Sequence, residues 1–100
     1  MKVLWSPLAE QRAAEAVEFI AQDRPQVAAA WLDELIERVA HLDRFARRGR
    51  AVPEIGLPAY REIFHAPYRV IYRVSATGAE ILTIRHARRG SDPAEVRRGV

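Results

Sequence analysis

Between Tyr60 and Arg89 apolar and arginine positions alternate with period two, the signature of half-buried β-strands, and this run constrains the fold more than any other part of the chain. Tyr60 to His65 reads as one strand, interrupted by Ala66-Pro67. Tyr68 to Ser75 reads as the next, with Tyr68, Val70, Tyr72 and Val74 on one face and Arg69, Ile71 and Arg73 on the other. Thr77-Gly78 is a turn, and Glu80 to His86 is a third strand, with Leu82, Ile84 and His86 predicted on one face and Ile81, Thr83 and Arg85 on the opposite one. Such a sheet buries one face and shows arginines on the other.

The segment before it is helical in pattern. Lys2 to Trp5 is a short apolar start, read as an edge strand, and Ser6-Pro7 supplies a capping hydroxyl followed by proline at the first helical position. The first helix is predicted over Pro7 to about Gln22, with Ala9, Ala13, Ala16, Val17 and Ile20 as its apolar stripe. Asp23 and Pro25 give a second start signal, for a helix running to about Phe45 on Ala28, Trp31, Leu32, Leu35, Ile36, Val39 and Leu42. So short a break makes the two helices antiparallel neighbours. Arg44 to Pro58 holds Gly49, Pro53, Gly56 and Pro58 and is predicted irregular. From Gly90 the chain is polar, with a short helix starting at Ser91 as one reading.

The predicted class is therefore α+β: an N-terminal strand and an α-helical hairpin packed on a three- to four-stranded, mainly antiparallel sheet, forming one domain over 1–100. The N-terminal strand is expected to join the sheet, and a parallel pairing is allowed across the long helical crossover.

Composition narrows the chemistry. There is no cysteine, so neither disulfides nor thiolate sites are available. No apolar run approaches the roughly 20 residues that span a bilayer, and the N-terminus lacks a signal-peptide core, so the expectation is a cytoplasmic protein without a membrane. His41, His65 and His86 show no metal-ligand spacing, and no glycine-rich phosphate loop or nucleophile motif is present, so neither metal nor cofactor is expected. The formal charge of +3 is unevenly placed. Residues 1–46 carry five cations against eight carboxylates, a net of −3, whereas residues 47–100 carry eleven arginines against five carboxylates, a net of +6. Lys2 is the lone lysine, so nearly every cation is a planar guanidinium suited to bidentate contact with phosphate or carboxylate.

An arginine-rich face with histidines and a loop carboxylate is a coherent set for cleaving RNA without metal. A base must take the 2′-hydroxyl proton, cations must stabilise the phosphate, and an acid must protonate the leaving oxygen. Glu54 or His86 is the candidate base, Arg61, Arg69 and Arg85 the candidate clamp, and His86 the candidate acid. The plain reading of the same residues is a solvated sheet face, a strand end and a local Glu54–Arg50 pair.

The order of elements, together with WSPLAE, FIAQDRPQVAAAWLDEL, GRAVPE, YREI, YRVIYRV and ILTIRHARR, resembles the RelE/ParE superfamily of bacterial toxins over about Val3 to Arg89. That resemblance implies a toxin of a type II toxin–antitoxin (plasmid stabilisation) module, neutralised by an antitoxin whose extended segment wraps the helical hairpin and sheet. RelE-like members are ribosome-dependent mRNA endoribonucleases, and the matching positions would be Glu54 as base, Arg61 and Arg69 on phosphate, and His86 as acid. The absence of a lysine after Lys2 and of a tyrosine after Tyr72 weakens that match. ParE-like members lack the catalytic set and poison DNA gyrase; the ending ILTIRHARR and the loop GRAVPE are similar to that branch, which is favoured. On it, Arg47, Arg48, Arg50, Arg73, Arg85, Arg88 and Arg89 form a surface for the target or nucleic acid, and the protein is an enzyme only on the ribonuclease alternative. A further alternative is a basic nucleic-acid-binding module without catalysis, against which stand Tyr68 and Tyr72 on the expected buried face.

Phe19, Trp31, Leu32, Ile36 and Phe45 exceed what one hairpin stripe needs and are predicted to meet the antitoxin, with acidic antitoxin side chains near Arg47, Arg48, Arg88 or Arg89. Trp31 also lies on the stripe with the leucines, which favours a core role. A homodimer and a toxin–antitoxin heterotetramer both stay open.

Overall fold

The computed structural model describes residues 2–88, so Arg89 and the helix considered from Ser91 lie outside the described residues. The elements run β1 (Lys2–Trp5), α1 (Pro7–Asp23), α2 (Pro25–Ala40), a 3-10 turn (His41–Asp43), β2 (Arg50–Ala51), β3 (Tyr60–His65), β4 (Tyr68–Ser75) and β5 (Gly78–His86). They form an α+β fold in which the helical hairpin covers one face of a mixed sheet of order β1-β5-β4-β3-β2. The sheet has five strands, more than the three or four expected. The addition is β2, where Arg50 and Ala51 pair antiparallel with Glu62 and Arg61 inside the segment predicted to be irregular.

β1 lies parallel to β5, in register from Lys2 beside Gly78 to Trp5 beside Ile81. Position 78 admits this pairing because it has no side chain: a Cβ there would collide with the backbone of Lys2. The chain then turns into α1 at Ser6, whose buried hydroxyl accepts from the Ala9 N–H at 3.0 Å and donates to the Leu82 carbonyl at 2.8 Å. One side chain thus caps the helix and ties it to β5.

The second start signal works differently from expectation. Asp23 is the last residue of α1 rather than a cap, because the Arg24 N–H still reaches the Ile20 carbonyl at 3.0 Å. Arg24 alone joins the helices, and its carbonyl accepts from the Ala28 N–H at 3.1 Å with no side-chain cap. α2 also stops at Ala40 instead of running to Phe45, tightening into the 3-10 turn that buries Leu42.

The main core lies between hairpin and sheet. Ala9, Ala13 and Ala16 of α1 and Trp31, Leu35 and Val39 of α2 meet Tyr68, Val70 and Tyr72 of β4 and Ile81 and Ile84 of β5. The small residues of α1 let the helix approach closely. The alternation predicted for β4 holds, but that predicted for β5 does not. Ile71 pairs with Thr83 and Tyr72 with Ile81, leaving Leu82 as an extra residue. This β-bulge resets the parity, so Ile81 and Ile84 both face the helices, while Leu82 packs with Val52 and Ile71 in a second small core on the other face.

Candidate functional site

Sheet parity decides which arginines can act together, since residues in register across an antiparallel pair share a face. Glu62 is in register with Ile71, and Phe64 with Arg69, so these point away from the helices. Arg61 is in register with Tyr72, and His86 with Tyr68, both partners belonging to the helix-side core.

On the open face Arg69 and Glu62 are both buried and ion-paired. Arg69 also grips Glu54 in a bidentate pair, Nη1 to Oε2 at 2.8 Å and Nη2 to Oε1 at 2.9 Å. Arg50 adds Nε and Nη2 contacts to Glu62 Oε2 at 3.0 and 2.8 Å. The hydrogen bonds to Glu54 and then Glu62 hold the Arg69 guanidinium far above even its ordinary range, so it is a fixed cation. Two cations face two carboxylates, and the cluster's net charge is zero. A hollow of 680 Å³ beside it is lined by these four residues with Pro53, Phe64 and Ala87. The network's physical role is to pin the loop bearing Glu54 onto β4 and β3. Next to it, Arg73 pairs with Glu80 at 3.1 Å, and Arg85 lies in register with Arg69.

The other two members of the expected catalytic set lie elsewhere. Arg61 donates to the Gly49 carbonyl at 2.9 Å and to the Arg47 carbonyl at 3.4 Å, bracing the loop from the helix side. The His86 ring packs edge-on to Tyr68 with centroids 5.4 Å apart, and its Nδ1 accepts from the Arg88 N–H at 3.2 Å. Glu54 and Arg69 are brought together, but Arg61 and His86 are on the opposite face.

Histidine 65, which the sequence did not single out, is structural. Arg38 can only donate, so at 3.2 Å it must donate to His65 Nδ1, which leaves Nε2 to carry the proton and donate to the Trp31 carbonyl at 3.0 Å. Trp31 Nε1 donates in turn to the Ala66 carbonyl at 2.9 Å, and its ring meets those of His65 and Tyr68. Trp31 is therefore a buried core residue and not part of an exposed docking surface, because its indole N–H is satisfied from within. Of the other apolar residues predicted for docking, Phe19, Ile36 and Phe45 are exposed and Leu32 is half-buried. Ile36 and Leu32 line a 620 Å³ apolar groove between the helices with Trp5, Ala13 and Val17, rimmed by Glu10 and Glu18. Phe19 lines a different hollow beside His86, and Phe45 a third beside Arg44, Arg47 and Arg48. Among the described residues no group of histidine, aspartate and glutamate has a metal-holding arrangement, and no helix is long and apolar enough to cross a membrane.

A two-helix hairpin packed on a mixed five-stranded sheet defines a small α+β protein. Residues 3–90 match the family model described as the ParE toxin of the type II toxin–antitoxin system parDE, and the chain belongs to that family. The fold is also that of a chain in the solved chromosomal ParDE toxin–antitoxin system from P. aeruginosa, with a TM-score of 0.72 at 21% identity, covering 86% of this chain and 95% of that one. Comparison with curated proteins gives no match.

Proposed function

We propose that this toxin acts as a ParE-like inhibitor of DNA gyrase in the cytoplasm, is neutralised by a cognate antitoxin, and is not a ribonuclease. The observation that carries this reading is the division of Glu54, Arg61, Arg69 and His86 between the two sheet faces. A metal-independent ribonuclease needs base, phosphate clamp and acid around one phosphate. Here the candidate base and the central clamp arginine neutralise each other, and the candidate acid packs against a core tyrosine on the far side.

The antitoxin surface is the interhelical groove. Its floor is apolar, and its Glu10 and Glu18 rim fits an amphipathic segment with basic flanks. Leu32→Ala with Ile36→Ala should weaken antitoxin binding at least tenfold by isothermal calorimetry without changing the circular dichroism. Unchanged affinity would remove that groove from the interface.

The deciding experiment adds the purified chain to a gyrase supercoiling reaction and to translating ribosomes, with mRNA 5′ ends mapped. Inhibited supercoiling with intact mRNA is expected. Cleavage at A-site codons that disappears in Glu54→Ala and His86→Ala would overturn the assignment in favour of a RelE-like enzyme.

A further inference from the structure

The loop after the 3-10 turn holds a feature that neither the antitoxin groove nor the open-face network uses. Arg44, Phe45, Arg47 and Arg48, with Val74 and Ser75, line a groove of 690 Å³ that contains no carboxylate. The three arginines are exposed, and none forms an ion pair with a described residue. Phe45 is 55% exposed, and the Arg48 guanidinium carbon stands 5.2 Å from its ring centroid. The backbone beneath is fixed. Tyr72 donates its buried hydroxyl to the Ala46 carbonyl at 2.7 Å and accepts from the Gly49 N–H at 2.9 Å, while Arg61 grips the Gly49 and Arg47 carbonyls. Position 49 is glycine because a Cβ would press on the Tyr72 hydroxyl and the Glu62 carbonyl.

We propose that this groove binds a single strand of nucleic acid, with Arg44, Arg47 and Arg48 on successive phosphates and Phe45 stacking an unpaired base. Unneutralised guanidinia on a rigid loop attract any polyanion. The exposed ring narrows the choice. A flat aromatic side chain already stacked with an arginine is the platform on which unpaired bases rest. An acidic peptide would use the cations and leave the ring idle, and so would a duplex, whose bases are stacked on each other. The proposal rests on the groove alone, so its failure would leave the gyrase assay unaffected.

The test is fluorescence anisotropy of the full chain with a labelled oligothymidylate of about 12 nucleotides, within the site sizes of single-strand grooves. The affinity should fall with salt at a log–log slope of about −2, as expected for three phosphate contacts on a single strand. Phe45→Ala should weaken binding roughly 5- to 150-fold, the range for loss of one base stack. The same variant should leave the affinity for a duplex of equal length unchanged. Replacing Arg44, Arg47 and Arg48 together by Ala should flatten the salt slope, whereas Arg24→Gln, at an exposed cation of the helix junction, should alter neither readout. Equal binding of single strand and duplex with no effect of Phe45→Ala would overturn the proposal. So would displacement of the oligonucleotide by a polyglutamate peptide whose own affinity is insensitive to Phe45→Ala.

Discussion

Two arginine regions of this molecule share a residue type and differ in everything that matters for binding. On the open sheet face Arg50, Arg69 and Arg73 each meet a carboxylate, and Arg69 meets two. In the loop, Arg44, Arg47 and Arg48 meet none among the described residues. The difference follows from where each lies. A guanidinium as buried as that of Arg69 must be neutralised, because an uncompensated charge there costs several kcal/mol, while the exposed Arg50 side chain completes the pairing of the buried Glu62. A guanidinium on a surface loop keeps its water and needs no partner. Counting arginines would therefore assign the binding surface to the sheet, whereas the unspent charge sits on the loop.

The sharpest way to break the contrast is Arg69→Ala. It strands Glu62 in a nearly closed site, where its remaining partner Arg50 has a largely exposed side chain. Removing one member of a buried pair costs about 3–5 kcal/mol. Urea unfolding should show a loss of that size. A loss below about 1 kcal/mol would mean that water reaches Glu62 and that the open-face network is surface-like after all.

Tyr72 joins the two regions, since it rises from the sheet core and holds the arginine loop by its hydroxyl. Tyr72→Phe leaves the Ala46 carbonyl and Gly49 N–H without this partner, and both residues are buried. The expected cost is about 2–3 kcal/mol, smaller than that of Arg69→Ala. The phenol also carries a pH signature. Burial raises its pKa in the folded protein, the Gly49 hydrogen bond and Arg61 opposing the rise in part, whereas in the unfolded chain it ionises near about 10. With the folded value raised, the contribution is complete below about pH 10 and is lost as pH rises from there through the folded value. Wild-type stability should therefore decline through that alkaline window more steeply than that of Tyr72→Phe. Parallel curves would place the hydroxyl in water.

Much of the architecture could be read from the residues, and the failures have a common cause. Ser6-Pro7, the helix stripes and the alternation of β4 are local signals, and the structure keeps them. The reach of α2 to Phe45 and the faces of β5 failed because each depends on a neighbour outside the local pattern. The bulge at Leu82 is visible only against β4, and β2 exists only because Glu62 and Arg61 offer it an edge. For the candidate site, the arginines were found by type, but their pairing was not. Glu62, which the sequence reading passed over, occupies the centre of the network, and period-two parity from Arg61 would have placed it on the Phe64 face. Trp31 shows the same limit from the other side: its stripe correctly predicted burial, whereas counting surplus apolar residues took it as exposed.

The smallest expected stability effect belongs to the loop. Arg47→Ala and Arg48→Ala remove exposed side chains with no ion pair among the described residues, so each should change unfolding free energy by no more than about 1 kcal/mol. Arg48 also rests on Phe45, a contact worth about 0.5–1 kcal/mol at an exposed site, so Arg48→Ala should sit at the upper end of that range and Arg47→Ala near zero. Both should nonetheless lower affinity for polyanions and weaken its salt dependence, since charge that does not stabilise the fold remains available to a ligand. A loss above about 2 kcal/mol in either variant would show that the loop cations support the fold, and the division between neutralised sheet and unneutralised loop would fail.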